Sequence, residues 1–303
     1  MDKGGTTWAV VLHFGPLWVT LRCLRALARI RSPRLKVVVV DNSGTGRALL
    51  PILRDAVPGL RPALVSMGGN AGFARGSNAG IRFALRARAT YVWLVNNDVV
   101  PEPGALAAMV REAGRDPRVG VMGSRILYPG RPRRLQQAGG WFNWGTLLPA
   151  SRGVGQPDRG QYGAVEDVGW ASGSSLLVRA RALRDTGLLD ERFFLYYEET
   201  DLCSRARAAG WRVIYVPGAR VVHGVAGRPP ATGDGWLFHE TRSRLLFVFK
   251  HQRRSVPRAI LGLARWPLGA FLLRGRWGGA LASAGGLASF LWLALFHRRP
   301  ETR

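Results

Sequence analysis

The chain has 303 residues, 47% of them hydrophobic, two cysteines and a formal net charge of +25. That length supports a sizeable core in one large domain or two lobes sharing a sheet, and the cysteine count rules out a disulfide-built scaffold. The charge invites a nucleic-acid reading, but no nucleic-acid motif accompanies it. From Arg205 onward 17 Lys and Arg stand against three acids, interleaved with apolar runs, and that pattern suits an anionic membrane surface better than a duplex.

Taken in chain order, Trp8 to Leu12 reads as a strand and Val19 to Ile30 as a helix. A second strand, Leu35 to Val40, is closed by Asp41, Asn42, Ser43 and Gly44, and a short helix runs from about Arg47 to Ala56. A short strand, the glycine-rich turn "GGNAGFARGSN" and a helix from about Gly76 to Ala87 follow. Tyr91 to Val95 is the next strand, it stops at Asn96, Asn97 and Asp98, and a helix begins at Pro103 and Gly104. Successive βα units with right-handed crossovers predict parallel strands, so Asp41 and Asp98 belong on one rim, where α/β sheets bind ligands.

Residues 131 to 168 are rich in Gly, Pro and Trp and read as a long, partly irregular excursion. "VGWASGSSLLVRARAL" returns to strand and helix, Glu199 to Ala209 is a helix stopped by Gly210, and "WRVIYVP" and "ARVVHG" read as two short strand-like pieces. After Gly224 a linker is expected, then a helix from Phe238 to Lys250 and two apolar, arginine-flanked helices over 257 to 276 and 277 to 297. The last has no charge over about a membrane's width; it is long enough to span, but a hairpin lying on the surface or packed on the domain is the expectation. Cys23 and Cys203 sit in helical patterns and read as free buried thiols. The N-terminus lacks an apolar signal core, so the cytosol is the default, with the chain peripheral on the inner face of the membrane.

Several polar residues admit two readings. Asp98 is a strand-end carboxylate that caps the next helix, or a ligand for a hard divalent cation with Asn96 beside it. Asp41 makes an Asx turn, or accepts a hydrogen bond from a nucleobase. Glu198 and Glu199 complement a helix dipole, or one of them is a general base. His223 is a structural histidine or a nitrogen ligand. The glycine-rich turn is only loosely a phosphate cradle, with Arg75 placed to meet a diphosphate.

The runs "VVVVDNSGTG", "NAGFARGSNAGI", "YVWLVNNDVVPEPGAL", "ASGSSLLVRARAL", "LLDERFFLYYEETDLCSRARAAGWRVIYVP" and "VVHG" occur in one order over residues 8 to 225. Together they resemble the family 2 inverting glycosyltransferases, in particular their rhamnosyltransferase-like branch. The resemblance implies an α/β fold of GT-A type, Rossmann-like with a mainly parallel sheet, here with a C-terminal helical extension. It implies a nucleotide-sugar half (1–130), an acceptor and catalytic half (131–225) and a basic apolar tail (226–303).

It also implies roles. Asp41 contacts the base, Asn70, Gly72, Arg75, Asn78 and Asn97 lie with the nucleotide and diphosphate, and Asn96 to Asp98 form a DxD-type motif. Asp98, with Asn96 and His223, would hold Mg²⁺ or Mn²⁺. Glu199, with Glu198 beside it, stands where the base is usually Asp. Trp170, Ser172 and Gly173 wall the acceptor side, and Arg242 stands near the diphosphate. The departures are "HFG" in place of a Thr-Tyr-Asn type ending, Asn at the first DxD position, Glu at 199 and "TRSR" for the usual Arg-Asn. The expected partners are a dTDP- or UDP-sugar donor, a lipid-linked or cell-wall glycan acceptor and an anionic membrane. Polyprenyl phosphate or protein acceptors remain alternatives within the fold, as does, in another class, a non-catalytic basic binding protein.

Overall fold

The computed structural model describes residues 5–32, 34–130, 133–224, 234–263 and 277–296. Its centre is a mixed sheet. Strands β1 (Thr7–His13), β2 (Leu35–Asp41), β3 (Ala63–Ser66) and β4 (Tyr91–Asn96) lie parallel in the order β3-β2-β1-β4. The sheet continues from β4 through β11 (Ser175–Arg179), β6 (Val119–Leu127), β12 (Arg212–His223) and β10 (Glu166–Asp167). β11 runs antiparallel to both β4 and β6, whereas β6 and β12 are parallel. Two short strands pair off this path, β5 (Val99–Pro101) with β12 and β7 (Leu135–Gln137) with β6.

The continuous apolar strands are buried on both faces because helices cover both. Ala9, Val11, Val37, Val39, Trp93 and Val95 point into one core with helices α1 (Leu17–Leu27), α2 (Leu49–Ala56) and α4 (Ala105–Arg115). The alternate residues Val10, Val38, Val40, Val92 and Leu94 point into the other, with α3 (Phe73–Arg86), α5 (Ala180–Thr186) and α6 (Glu198–Ala208). Cys23 and Cys203 are free and buried, one in each core.

Register places the rim. His13 pairs with Asp41, and Leu12 pairs with Asn96, so the ends of β2, β1 and β4 are level. The chain moves outward from β1 to β3 and returns to β1's other side at β4, which leaves a crevice at that reversal.

Three regions differ from the sequence reading. α3 begins at Phe73, so part of the glycine-rich segment is its first turn. Residues 131–168 are more regular than expected, because β8 (Gly140–Asn143) and β9 (Leu148–Ser151) form an antiparallel ribbon. "WRVIYVP" and "ARVVHG" are one strand, β12, whose register against β6 shifts between Val216 and Arg220 at a Pro-Gly step.

A third cluster joins Leu147, Phe193 and Tyr197 to helices α7 (Asp234–His251), α8 (Val256–Leu263) and α9 (Trp277–Phe296). α9 is long and apolar enough to cross a membrane, yet one of its faces packs closely on α7: a Cβ on Gly286 would lie 2.5 Å from the Phe238 carbonyl oxygen. Its outer face exposes Leu281, Trp292, Leu295 and Phe296. The expected linker and much of the 257–276 helix fall outside the described residues.

α7 is fastened to α6 through Asp201, which is wholly buried. Arg205 Nε, Lys250 Nζ and His251 Nε2 each stand 2.8 Å from its oxygens. Burial alone would raise this carboxyl, but the His251 hydrogen bond and the Arg205 and Lys250 charges outweigh it and hold it below the usual range. Asp201→Asn should therefore lower the unfolding free energy by about 3 kcal/mol near neutral pH, read by denaturant titration. A depressed carboxylate contributes stability above its unfolded pKa of about 3.9 and loses it as pH falls through the folded value. The gap between wild type and variant should accordingly close in acid.

Candidate active site

A cleft of about 250 Å³ opens at the reversal of strand order. It is lined by Leu12, Phe14, Asn42, Asn70, Gly72, Phe73, Asn96, Asn97, Asp98 and Phe194, among others. Asn42 Nδ2 donates to Asn70 Oδ1 at 3.1 Å, and Ala71 N–H donates to Asn42 Oδ1 at 2.9 Å, which ties the end of β2 to the glycine-rich turn. Gly72 has φ +84°, and a Cβ there would sit 2.6 Å from both the ring and the carbonyl oxygen of Phe194. Only glycine meets both demands. Asn97 Nδ2 reaches the Phe14 carbonyl (3.1 Å) and Thr20 Oγ1 (3.0 Å), and so closes the side of the cleft after β1.

Asp98 lies in the tight turn between β4 and β5. Gly104, without a side-chain cap, starts α4, so the capping role weighed for Asp98 is not the one it fills. Asp98 instead faces His223 at the end of β12, with Oδ1 3.3 Å from Nε2. His223 Nδ1 is 2.6 Å from Gln136 Oε1, and an amide oxygen only accepts, so Nδ1 carries a proton. Asn96 Nδ2 stands 3.4 Å from the same Nε2, while Asn96 Oδ1 is buried with no partner. An imidazole nitrogen and a carboxylate oxygen this close make a donor pair that suits a divalent cation. Among the described residues no group of three or more His, Cys, Asp and Glu converges. A divalent cation held by Asp98 and His223, with the orphaned Asn96 oxygen beside them, would therefore be completed by ligand oxygens. That fits a hard ion that keeps substrate phosphates in its shell.

Glu198 and Glu199 open α6 behind the segment 172–174. Tyr196 and Tyr197, immediately before them, both have φ +69°, which is uncommon outside glycine. Ser243 Oγ holds the Leu195 carbonyl at 2.8 Å, and Tyr197 donates to Glu240 at 3.2 Å, so α7 clamps this bend. Glu198 is buried, and its carboxyl is pushed well above the usual range by that burial and then by the charge of Glu199. Burial raises Glu199 too, but the N–H groups of Glu199, Gly173 and Thr200 favour its charged form. The helix start thus does not simply keep both acids ionised, as its dipole alone would predict. The backbone N–H groups make Glu199 the member of the pair better suited to carry charge. Tyr196, half-buried beside them, is itself pushed up to about 12 by desolvation and then by the two carboxylates.

The residues expected on the acceptor side adjoin Glu199. A Cβ on Gly173 would be 3.4 Å from Glu199 Cβ and 3.6 Å from Phe73, a cleft residue. Asn96 N–H donates to the Ser174 carbonyl at 2.9 Å, which joins the segment beside Glu199 to the Asp98 turn. Ser172 N–H donates to Gln137 Oε1 at 3.0 Å, and Trp170 is buried against Gly140 of the ribbon.

Other expected residues are engaged elsewhere. Both oxygens of buried Asp41 accept loop N–H groups, from Ser43 (3.0 Å) and Gly46 (2.6 Å), in an Asx-type turn, and its neighbour Asn42 is the one in the cleft. Asn78 is buried and bonded to Leu189 and Glu191. Arg75 is largely exposed on the first turn of α3, 3.9 Å from Glu191. Arg242 donates to Ser289 on α9 and to the Arg192 carbonyl. Sequence reasoning missed Gln136, Gln137, Asn42 and Phe194. The adjacent glutamines in an otherwise Gly- and Trp-rich stretch were the only local signal for the first two.

The family model "Glycosyltransferase like family 2" matches residues 7–256. An N-acetylglucosaminyl-diphospho-decaprenol L-rhamnosyltransferase of Mycobacterium tuberculosis is 31% identical over 246 residues, covering 70% of this chain and 74% of the relative. Among solved structures, mannosyltransferase PcManGT from Pyrobaculum calidifontis with GDP-Man and Mn²⁺ superposes with TM-score 0.60 at 17% identity, over 98% of this chain and 89% of that one. S. aureus TarS with UDP-GlcNAc gives 0.61 at 14% identity, over 95% and 81%. A matched span running from β1 to α8, and a relative of this identity and coverage, place the crevice and the buried acids in a known setting: the chain belongs to glycosyltransferase family 2 and is a glycosyltransferase of GT-A fold.

Proposed function

We propose that this enzyme transfers a hexose, of which rhamnose is the favoured case, from a nucleoside-diphosphate sugar to a hydroxyl of a lipid-linked glycan, with inversion at the anomeric carbon. The observation that carries this reading is the placement of Glu199, half-buried at the start of α6 against Gly173, one segment away from the Asp98–His223 pair. The lipid-linked acceptor rests on the Mycobacterium relative, whose name specifies one.

In this reading the nucleoside diphosphate lies in the crevice along Asn42, Asn70 and Gly72. Asp98 and His223 would hold Mg²⁺ or Mn²⁺, which when bound neutralises charge on the leaving diphosphate. Glu199 accepts the proton of the attacking hydroxyl, which approaches past Gly173 on the face opposite the diphosphate. Gln136 fixes the His223 tautomer that leaves Nε2 open, and Gln137 fixes Ser172 in the acceptor wall. The exposed apolar face of α9 and the basic residues Arg253, Arg254 and Arg258 suit attachment to an anionic bilayer, where such acceptors reside.

Thermal shift with UDP, dTDP and GDP, each with and without Mn²⁺, should single out one metal-dependent nucleotide, and NMR of the product should show the inverted anomer. No shift with any nucleotide would overturn the donor assignment. Glu199→Gln should lower kcat by about 10²–10⁴-fold while nucleotide binding persists, whereas retained turnover would remove the base. Because Glu199 must be ionised and its pKa is raised, kcat/KM should fall as pH drops through a value above the ordinary carboxylate range. Gln136→Leu should weaken the Mn²⁺-dependent nucleotide affinity by about tenfold, measured by calorimetry.

A further inference from the structure

A second cavity, of about 270 Å³, lies among the C-terminal helices. The turn of the β8–β9 ribbon, with Gly145 and Thr146, forms one wall, and Arg244 of α7 with Arg258 and Ala259 of α8 forms the other. Among the described residues, Arg244 and Arg258 are the charged residues lining it, and no acid does.

Arg244 is only 5% exposed, and its Nε and Nη2 are buried without a hydrogen-bond partner. The Glu240 carboxylate is 3.8 Å from Nε, beyond hydrogen-bonding reach, and its Oε1 already accepts from Tyr197. Native proteins rarely leave buried donors unused, least of all charged ones. Arg258 is exposed at the mouth and is steadied by one bond, from Nη2 to the Trp144 carbonyl. Arg244, fixed by its burial, lines a cavity that is also lined by Arg258, and such a pair is suited to a multiply charged oxyanion, because planar forks match phosphate oxygens.

We propose that this cavity binds the diphosphate of a lipid-linked acceptor, an identification that rests on the acceptor class argued above. Two features place it on the acceptor's route. Glu240 links Arg244 to Tyr197, the residue preceding the Glu198–Glu199 pair, so an anion at Arg244 sits on the α7 side of the base. On its outer side, Gly262 lines the cavity next to Leu261, which is 72% exposed. A diphosphate seated between the two has apolar surface on one side for its lipid and the base on the other for its sugar.

The test uses the full chain with its donor crevice filled by saturating nucleoside diphosphate and Mn²⁺. Farnesyl diphosphate, farnesyl monophosphate and phosphatidylglycerol vesicles are then titrated against wild type, Arg244→Gln and Arg258→Gln. Wild type should prefer the diphosphate, and each variant should bind it about tenfold more weakly while its nucleotide affinity stays at the wild-type value. Equal farnesyl diphosphate affinity in wild type and Arg258→Gln would overturn the proposal. So would loss of vesicle binding alone, which would assign the two arginines to a bilayer phosphate. Arg258 is exposed, so its variant remains decisive should Arg244→Gln fail to fold. A wild type that binds farnesyl diphosphate but no nucleoside diphosphate would refute the donor reading and leave this site standing.

Discussion

The burial of two adjacent carboxyl groups at the start of α6 is the constraint around which the surrounding structure is arranged. Removing such groups from water is costly, and two together are costlier, because one raises the other. The fold meets that cost locally. Tyr196 and Tyr197 take a left-handed backbone immediately before the pair, and position 173 has no side chain where it meets Glu199. α7 then closes over the bend through Ser243 and Glu240. In the proposed reaction these features serve one end, a carboxylate held next to an approaching hydroxyl.

A second dependence runs through the 131–168 excursion. Gln136 and Gln137 are adjacent on β7 and point to opposite sides, as successive strand residues do. One side chain holds His223 at the end of β12, and the other holds the backbone of Ser172 beside the base. The two ends of the proposed reaction, leaving-group side and acceptor side, are therefore set by a single short strand. A shift of β7 against β6 would disturb both.

How much of this was legible in the sequence follows from the range of the forces involved. The rim was legible: apolar strands ending in polar residues, joined by helical crossovers, bring Asp41 and Asn96 level with β1 whatever the remaining chain does. Cys23 and Cys203 were legible as buried thiols for the same local reason. The antiparallel β11 was not, because its apolar run is identical in either direction and only its neighbours β4 and β6 fix the sense. Nor was the fate of Asn78, whose partners lie 111 and 113 residues away. Asn42 was passed over for Asp41 because charge attracts attention, yet the turn's own N–H groups consume the carboxylate and leave the amide facing the cleft.

The C-terminal helices read in sequence as an appendage, basic and apolar, added to a finished domain. The packing argues otherwise. Asp201 binds Lys250 and His251 of α7, and Tyr197 rests on Phe247 and Glu240, so α7 completes the wall behind the Glu198–Glu199 pair. The family match accordingly runs through α7 and ends at residue 256, where α8 begins. Beyond that point α9 is bound to α7 by one face and offers the other, rich in Leu, Trp and Phe, to its surroundings. Any surface that this outer face meets is thus coupled through one helix to the bend carrying Glu198 and Glu199. In the proposed reading, attachment and catalysis would therefore share a wall instead of being separated by a tether.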